Sequence, residues 1–112
     1  MDEKEIIEGN KLIAEFDGWD LRHDNVSYRK QLTETTSMTC HESNLKYNSD
    51  YNWLMAVVEK IEKMDYGFKM CRKVVEVYID STKETFIKRK ESCRLDSLYV
   101  AIVDFIELYN KK

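Results

Sequence analysis

The sequence of 112 residues contains no proline, only three glycines and two histidines. Without proline, its turns have to be built from Gly, Asn, Asp and Ser. The glycines are Gly9, Gly18 and Gly67, too scattered to form a glycine-rich phosphate loop. No apolar run approaches the roughly 20 residues of a membrane-spanning helix. These absences exclude nucleotide-binding loops of the common kinds and predict a protein with no membrane partner.

Cysteine is also scarce, and its spacing is uninformative for metal binding. Cys40, Cys71 and Cys93 are an odd number and lie far apart, which predicts reduced thiols and a cytoplasmic location. Cys40 and His41 with the more distant His23 fall short of the compact four-ligand spacing of structural zinc sites. Cys71 and Cys93 have no histidine base near them in sequence, so packing is their simpler reading. The sequence therefore predicts no metal, no cofactor and no catalytic residues, and hence a protein that is not an enzyme.

The overall charge gives no reason to expect nucleic acid or an anionic membrane as a partner. The net charge is −3 and the sequence pI is about 5.4. Apolar residues make up 43% of the chain and charged residues 35%, as in globular proteins. A chain of this length has room for one ordinary core, so we expect a single domain over 1–112.

Three stretches have the apolar spacing of amphipathic helices. The clearest lies within 47–64, where Trp53, Leu54, Val57, Val58, Ile61 and Met64 share one face. Ser49 or Asp50 is positioned to cap it. The other two helices are predicted over about 2–16 and about 94–110, the latter capped by Ser92.

The region between the second and third helices is predicted to form strands. Apolar residues alternate over 68–72, 74–80 and 85–91, the last two as a hairpin, after a turn at 65–67. Upstream, the pattern over 20–46 is weak: we expect a short edge strand at about 26–32 and a mobile loop at about 33–44. The predicted fold is α+β, a small antiparallel sheet of three to four strands with helices packed on its faces, a layered α/β/α sandwich.

Two segments and the carboxyl end together form a familiar pattern. They are 10–16 followed by Gly18 and Trp19, then 45–61 with its Tyr-x-x-Asp-Tyr-x-Trp-Leu-Met core, and finally 103–110. This pattern resembles small uncharacterised phage and prophage proteins of Bacteroides-type bacteria. It is similar, more distantly, to the phage ABA-sandwich domain. The resemblance implies helices on both sides of a sheet and a phage or mobile-element origin, and it supplies no catalytic residues.

Charge is distributed unevenly along the chain. Residues 68–94 contain eight cations and four anions, a net charge of +4, whereas 1–17 contain two cations and six anions, a net charge of −4. Basic residues near aromatic side chains are typical of contacts to a nucleic-acid backbone. The alternative is an edge strand that lysines protect from aggregation. The candidate contact residues of the hairpin 83–94, for nucleic acid or another partner, are Lys83, Lys88, Arg89, Lys90 and Arg94.

These observations lead to two functional hypotheses. The first is a phage- or prophage-derived accessory protein of unknown biochemical role that acts by binding another protein or itself. Its contact patch would include Trp19 and Tyr51 if those aromatic side chains are exposed, and core filling is the alternative for both. The second is a nucleic-acid-binding module that uses the basic hairpin 83–94.

Overall fold

The structure, a computed structural model, describes residues 3–22, 24, 26–31 and 33–111. Its described residues form three α-helices and two three-stranded antiparallel sheets, which confirms the predicted α+β class. We expected one sheet, whereas the described residues form two. Contacts divide the chain into two compact units, Met1–Lys46 and Tyr47–Lys112, each with its own sheet.

The first unit begins with a helix and continues into a small sheet. Its elements are α1 (Glu3–Phe16), β1 (Asp20–Leu21), β2 (Ser27–Gln31), β3 (Ser37–His41) and a 3-10 helix (Glu42–Asn44). The strand order is β1-β2-β3, with both pairs antiparallel. Helix α1 ends at Phe16 and is followed by Gly18, whose φ of 97° is the left-handed conformation that glycine adopts readily.

Two predictions for this unit need correction. The strand predicted at 26–32 is present as β2, but it is the central strand of its sheet and not an edge; Leu32, its predicted last residue, lies outside the described residues. The loop predicted as mobile at 33–44 contains β3 and the 3-10 helix. Most of β3 is exposed, and it lies in a stretch rich in Thr, Ser and Glu, a composition that is typical of loops.

The core of the first unit is small and centred on aromatic side chains. Trp19 is 4% exposed and Tyr28 is 1% exposed, so Trp19 fills the core and is not part of a surface patch. Asn10 donates a hydrogen bond from Nδ2 to the carbonyl of Leu45 at 3.2 Å, which ties α1 to the chain after the 3-10 helix. The ion pair between Lys11 and Glu42, at 3.0 Å, makes a second tie between the same parts.

The second unit contains the longer helices and the better-formed sheet. Its elements are α2 (Tyr51–Glu62), β4 (Tyr66–Cys71), β5 (Val74–Ile79), β6 (Thr85–Lys90) and α3 (Arg94–Asn110). Asp50 caps α2 by accepting a hydrogen bond from the Asn52 amide at 2.9 Å, as predicted. The cap residue of α3 is Cys93, however, and Ser92 donates instead to Asp96.

The predicted turn at 65–67 was placed too far along the chain. Strand β4 already begins at Tyr66, and the reversal occurs at Asp65, whose φ is 69°. An aspartate tolerates this left-handed conformation better than most residues that have a side chain. Gly67 is therefore the second residue of β4 and not part of the turn.

Both helices of the second unit lie on the same face of its sheet. Helix α3 packs on β5 and β6, α2 packs on β4, and the two helices contact each other. Val75, Val77 and Ile87 point into this layer. Val75 and Val77 are 0% exposed, and Ile87 is 7% exposed. Within this unit both helices therefore cover the same face of the sheet. Neither of these helices, nor α1 in the other unit, is long and apolar enough over its described residues to cross a membrane.

Candidate binding face of the second sheet

The face of the second sheet that points away from α2 and α3 is polar and basic. Strand register places its residues in cross-strand rows, because alternate residues of a strand point to the same side. One row joins Lys69, Glu76 and Lys88, and the next joins Cys71, Val74 and Lys90. We call these six residues, together with Tyr78 one row further along β5, the open face.

A shallow concavity of about 550 Å³ lies at one end of the open face. Its lining includes four cations and a single carboxylate, a net charge of +3. Lys69, Arg72, Lys73 and Lys90 are the four cations, and all four are exposed. The carboxylate is Glu76, which also pairs with Lys88 at 3.5 Å. Glu76 therefore offsets part of the charge from one edge of the concavity, and the excess of cations remains around the rest.

The turn between β4 and β5 supplies two of these cations and is held firmly by α3. Arg72 has a φ of 55°, in the left-handed region that side chains adopt rarely. Its carbonyl accepts a hydrogen bond from Nε of Arg94 at 2.8 Å. The hydroxyl of Ser97, which is 0% exposed, accepts from the Glu91 amide and shares its one hydrogen between the carbonyls of Lys73 and Cys93. The turn backbone is therefore fixed, while its two basic side chains remain exposed.

Tyr78 lies at the opposite end of the open face, directly across from Gly67 in the ladder. The phenol end of its ring lies against the glycine: a Cβ added at Gly67 would fall under 3.0 Å from two ring carbons and the hydroxyl oxygen of Tyr78. Lys83, from the turn between β5 and β6, places its Nζ 5.5 Å from the centroid of this ring. The open face thus has a cationic concavity at one end and an aromatic side chain with a nearby lysine at the other.

The structure separates the five basic residues that we singled out in the sequence. Lys88 and Lys90 lie on the open face, and Lys83 lies beside it, paired with Asp80 at 2.9 Å. Arg89 points to the other face and pairs with Asp104 of α3.

Arg94 uses its Nε to hold the β4–β5 turn, as described above. Alternation along β6 explains why the run 88–90 does not act as one cluster.

Three of the four cations that line the concavity were not among the candidates predicted from the sequence. Lys69, Arg72 and Lys73 lie about 20 residues before Lys90 in sequence, yet they line the same concavity. The available signal was the alternation of Lys69 with the apolar Phe68 and Met70, which places the lysine on the polar side of its strand. Which residues lie beside Lys69 on the neighbouring strands depends on the strand register, and the alternation in sequence does not reveal the register.

Of the cysteine and histidine candidates for a metal site, the structure describes Cys40 and His41, and these two do not face each other. Cys40 and His41 are consecutive residues of β3, so their side chains point to opposite sides of the strand. Burial raises the pKa of the Cys40 thiol, which favours the unreactive protonated form. His23 lies outside the described residues. Within the described ranges, no group of three or more His, Cys, Asp or Glu residues is arranged to hold a metal ion.

Comparisons with family models, with curated proteins and with solved structures found no match to this chain.

Proposed function

We propose that this chain is a non-catalytic binding protein whose open face contacts the phosphate backbone of nucleic acid. The observation that carries the proposal is the concavity around which Lys69, Arg72, Lys73 and Lys90 converge. Phosphate contacts of lysine and arginine supply most of the affinity in sequence-independent nucleic-acid binding. Exposed cations that surround a concave surface are suited to this role.

The acidic character of the whole chain does not prevent such binding. Screening at physiological ionic strength limits the reach of exposed charges to a Debye length of about 8 Å. A phosphate within the concavity therefore interacts mainly with the four nearby cations. The net charge of −3 belongs to the whole chain, so the residues outside the concavity together carry a net charge of −6 (−3 − 3).

The fixed backbone of the β4–β5 turn adds to the argument. Arg94 and Ser97 bind its two carbonyl groups, so the turn does not have to become ordered when a ligand arrives. Preorganisation of this kind lowers the entropic cost of binding. A set of lysines that merely protects edge strands has no need for such an arrangement.

The experiment measures binding of a fluorescent single-stranded oligonucleotide of about 12 nucleotides, and of its duplex, over a series of salt concentrations. The test variant replaces Lys69, Lys88 and Lys90 by glutamine, which keeps side-chain length and removes charge. For single strands the slope of log K against log salt is about −0.7 per phosphate contact. Loss of three contacts should therefore make the slope of the variant less negative by about 2.

The matched control replaces three exposed lysines that lie elsewhere, Lys4, Lys46 and Lys63, by glutamine. It changes the net charge by the same amount and should bind like the wild type. Equal weakening in both variants would show a non-specific charge effect and would contradict the proposal. Retention of binding by the test variant would assign the open-face lysines to edge protection.

A phage accessory protein that acts by protein–protein interaction is the second candidate function. It rests on the resemblance to phage and prophage proteins and on two apolar side chains near the end of α3. Leu108 is 42% exposed and Tyr109 is 39% exposed. If the wild type binds neither oligonucleotide even at low salt, the first proposal fails and this second function is the one to pursue.

A further inference from the structure

We propose that Tyr78 is a stacking platform for a base of single-stranded nucleic acid, next to the phosphate-binding cations of the open face. This inference rests on the proposed function and adds the form of nucleic acid that the face recognises. Single strands expose the faces of their bases, whereas a duplex keeps them stacked on one another. An aromatic side chain on an exposed sheet face can therefore distinguish the two forms.

Gly67 controls the position of the Tyr78 ring. The two residues are paired across β4 and β5, and the absence of a side chain on Gly67 lets the phenol end lie against the strand. Any Cβ at position 67 would displace the ring. Tyr78 is half-buried, so part of its side chain remains accessible to solvent.

The ring and the cations are spaced along one strand. Tyr78, Glu76 and Val74 are alternate residues of β5, so their side chains point to the same side of the sheet. Two residues along a strand correspond to about 7 Å, which is the spacing from Tyr78 to the row of Lys69 and Lys88. A nucleotide whose base stacks on Tyr78 therefore has cations one row away to contact its backbone.

Lys83 supplies a cation at the ring itself. Its Nζ lies 5.5 Å from the ring centroid and 2.9 Å from a carboxylate oxygen of Asp80. Both side chains of this ion pair are largely exposed, at 70% and 57%, and exposed pairs of this kind are easily broken. A base that approaches the ring can displace the lysine, whose ammonium group then becomes available to a phosphate.

Tyr78 also has a purely structural alternative, which is to cover Gly67 and strengthen the sheet. That role needs only the apolar bulk of the ring. A stacking role predicts in addition that affinity depends on the bases of the ligand. The two readings therefore differ in their response to a probe from which the bases have been removed.

The experiment compares two single-stranded probes of about 12 nucleotides, one of thymidine and one of abasic residues with the same number of phosphates. Wild-type protein should bind the thymidine probe about tenfold more tightly, since stacking on an aromatic side chain stabilises a bound base. Tyr78→Leu should bind both probes equally and keep the salt dependence of the wild type. Tyr78→Phe, which retains the ring, should keep the preference for bases.

Photo-crosslinking of wild-type protein to a probe with iodinated uracil gives a second readout that requires no variant. Mass spectrometry should find the crosslink on Tyr78. Equal wild-type affinity for the two probes, a base preference that persists in Tyr78→Leu, equally tight binding of the duplex, or crosslinks elsewhere would overturn the stacking site. In each of these cases salt-dependent binding would still support the proposed function; absence of wild-type binding to both probes would overturn both.

Discussion

The two sheets of this protein have the same number of strands and the same antiparallel order, but they are built differently. In the second sheet, burial alternates along the central strand, and Val75 and Val77 are 0% exposed beneath α3. In the first sheet, Tyr28 is the buried residue of the central strand, and β3 is mostly exposed. Backbone pairing is sufficient to form a ladder, whereas the apolar alternation that reveals a strand in sequence requires a core beneath it.

The largest expected difference between the sheets is in amide hydrogen exchange. Amides of β5, such as those of Val75 and Val77, should exchange only through global unfolding. Amides of β2, such as that of Tyr28, should exchange at least about 100-fold faster through local opening, since fewer apolar contacts hold that sheet.

This comparison is well matched because β5 and β2 are both central strands, so position within a sheet cannot account for the difference. Exchange measured by NMR at each residue provides the test. Equal protection of the two central strands would show that the first sheet is as cooperative as the second, against our interpretation.

An intermediate effect is expected where α3 holds the β4–β5 turn. Ser97→Ala removes the hydroxyl that bonds to the Lys73 carbonyl and the Glu91 amide. Two partly buried backbone groups then lose their partner, and we expect a loss of about 1–3 kcal/mol in the free energy of unfolding. Urea denaturation gives the value.

Ser92→Ala is the control for this change, since the Ser92 hydroxyl bonds to Asp96 at an exposed position. Its effect should stay within about 0.5 kcal/mol. If the two alanine variants were equally stable, the turn would not depend on Ser97, and its preorganisation would lose its main support.

The smallest expected effect is at the corresponding tie of the first unit. Lys11→Met removes the ion pair with Glu42, whose side chains are 36% and 21% exposed. Exposed or partly exposed pairs contribute about 0.2–1 kcal/mol, so the loss in unfolding free energy should fall in this range and shrink in high salt.

The pair also predicts a dependence on pH. The hydrogen bond to Glu42 raises the pKa of Lys11, so its contribution is fully present below the pKa of the unfolded chain, near 10.5, and is lost as pH rises through the folded value. Lys4→Met, on an exposed lysine of the same helix, is the control and should show neither effect. A loss that is independent of salt and pH would mean that packing, and not charge, accounts for the role of Lys11.

Agreement between sequence and structure is closest where apolar residues recur with a clear period. Helix α3 begins and ends at the predicted residues, and the hairpin of β5 and β6 was predicted to within one residue at its ends. These elements have apolar residues at the period of their own secondary structure. Strands β1 and β3 were not predicted, because they are short, mostly exposed and surrounded by polar residues.

The candidate site was predicted only in part. The excess of positive charge over 68–94 was evident, and Lys88 and Lys90 do lie on the open face. Arg89 lies between them in sequence but points to the opposite side and pairs with Asp104. The position of Tyr78 over Gly67 had no sequence signal, because it depends on which residues face each other across β4 and β5.

For the second unit, residue order was enough to establish the helices, the hairpin and the basic character of the sheet region, since periodicity and composition are local properties of the chain. Which cations share one concavity, and which aromatic ring lies beside them, depended on strand register and on the face that the helices cover. These follow from packing between residues distant in sequence, and a one-residue change of register would move every side chain of a strand to the other face.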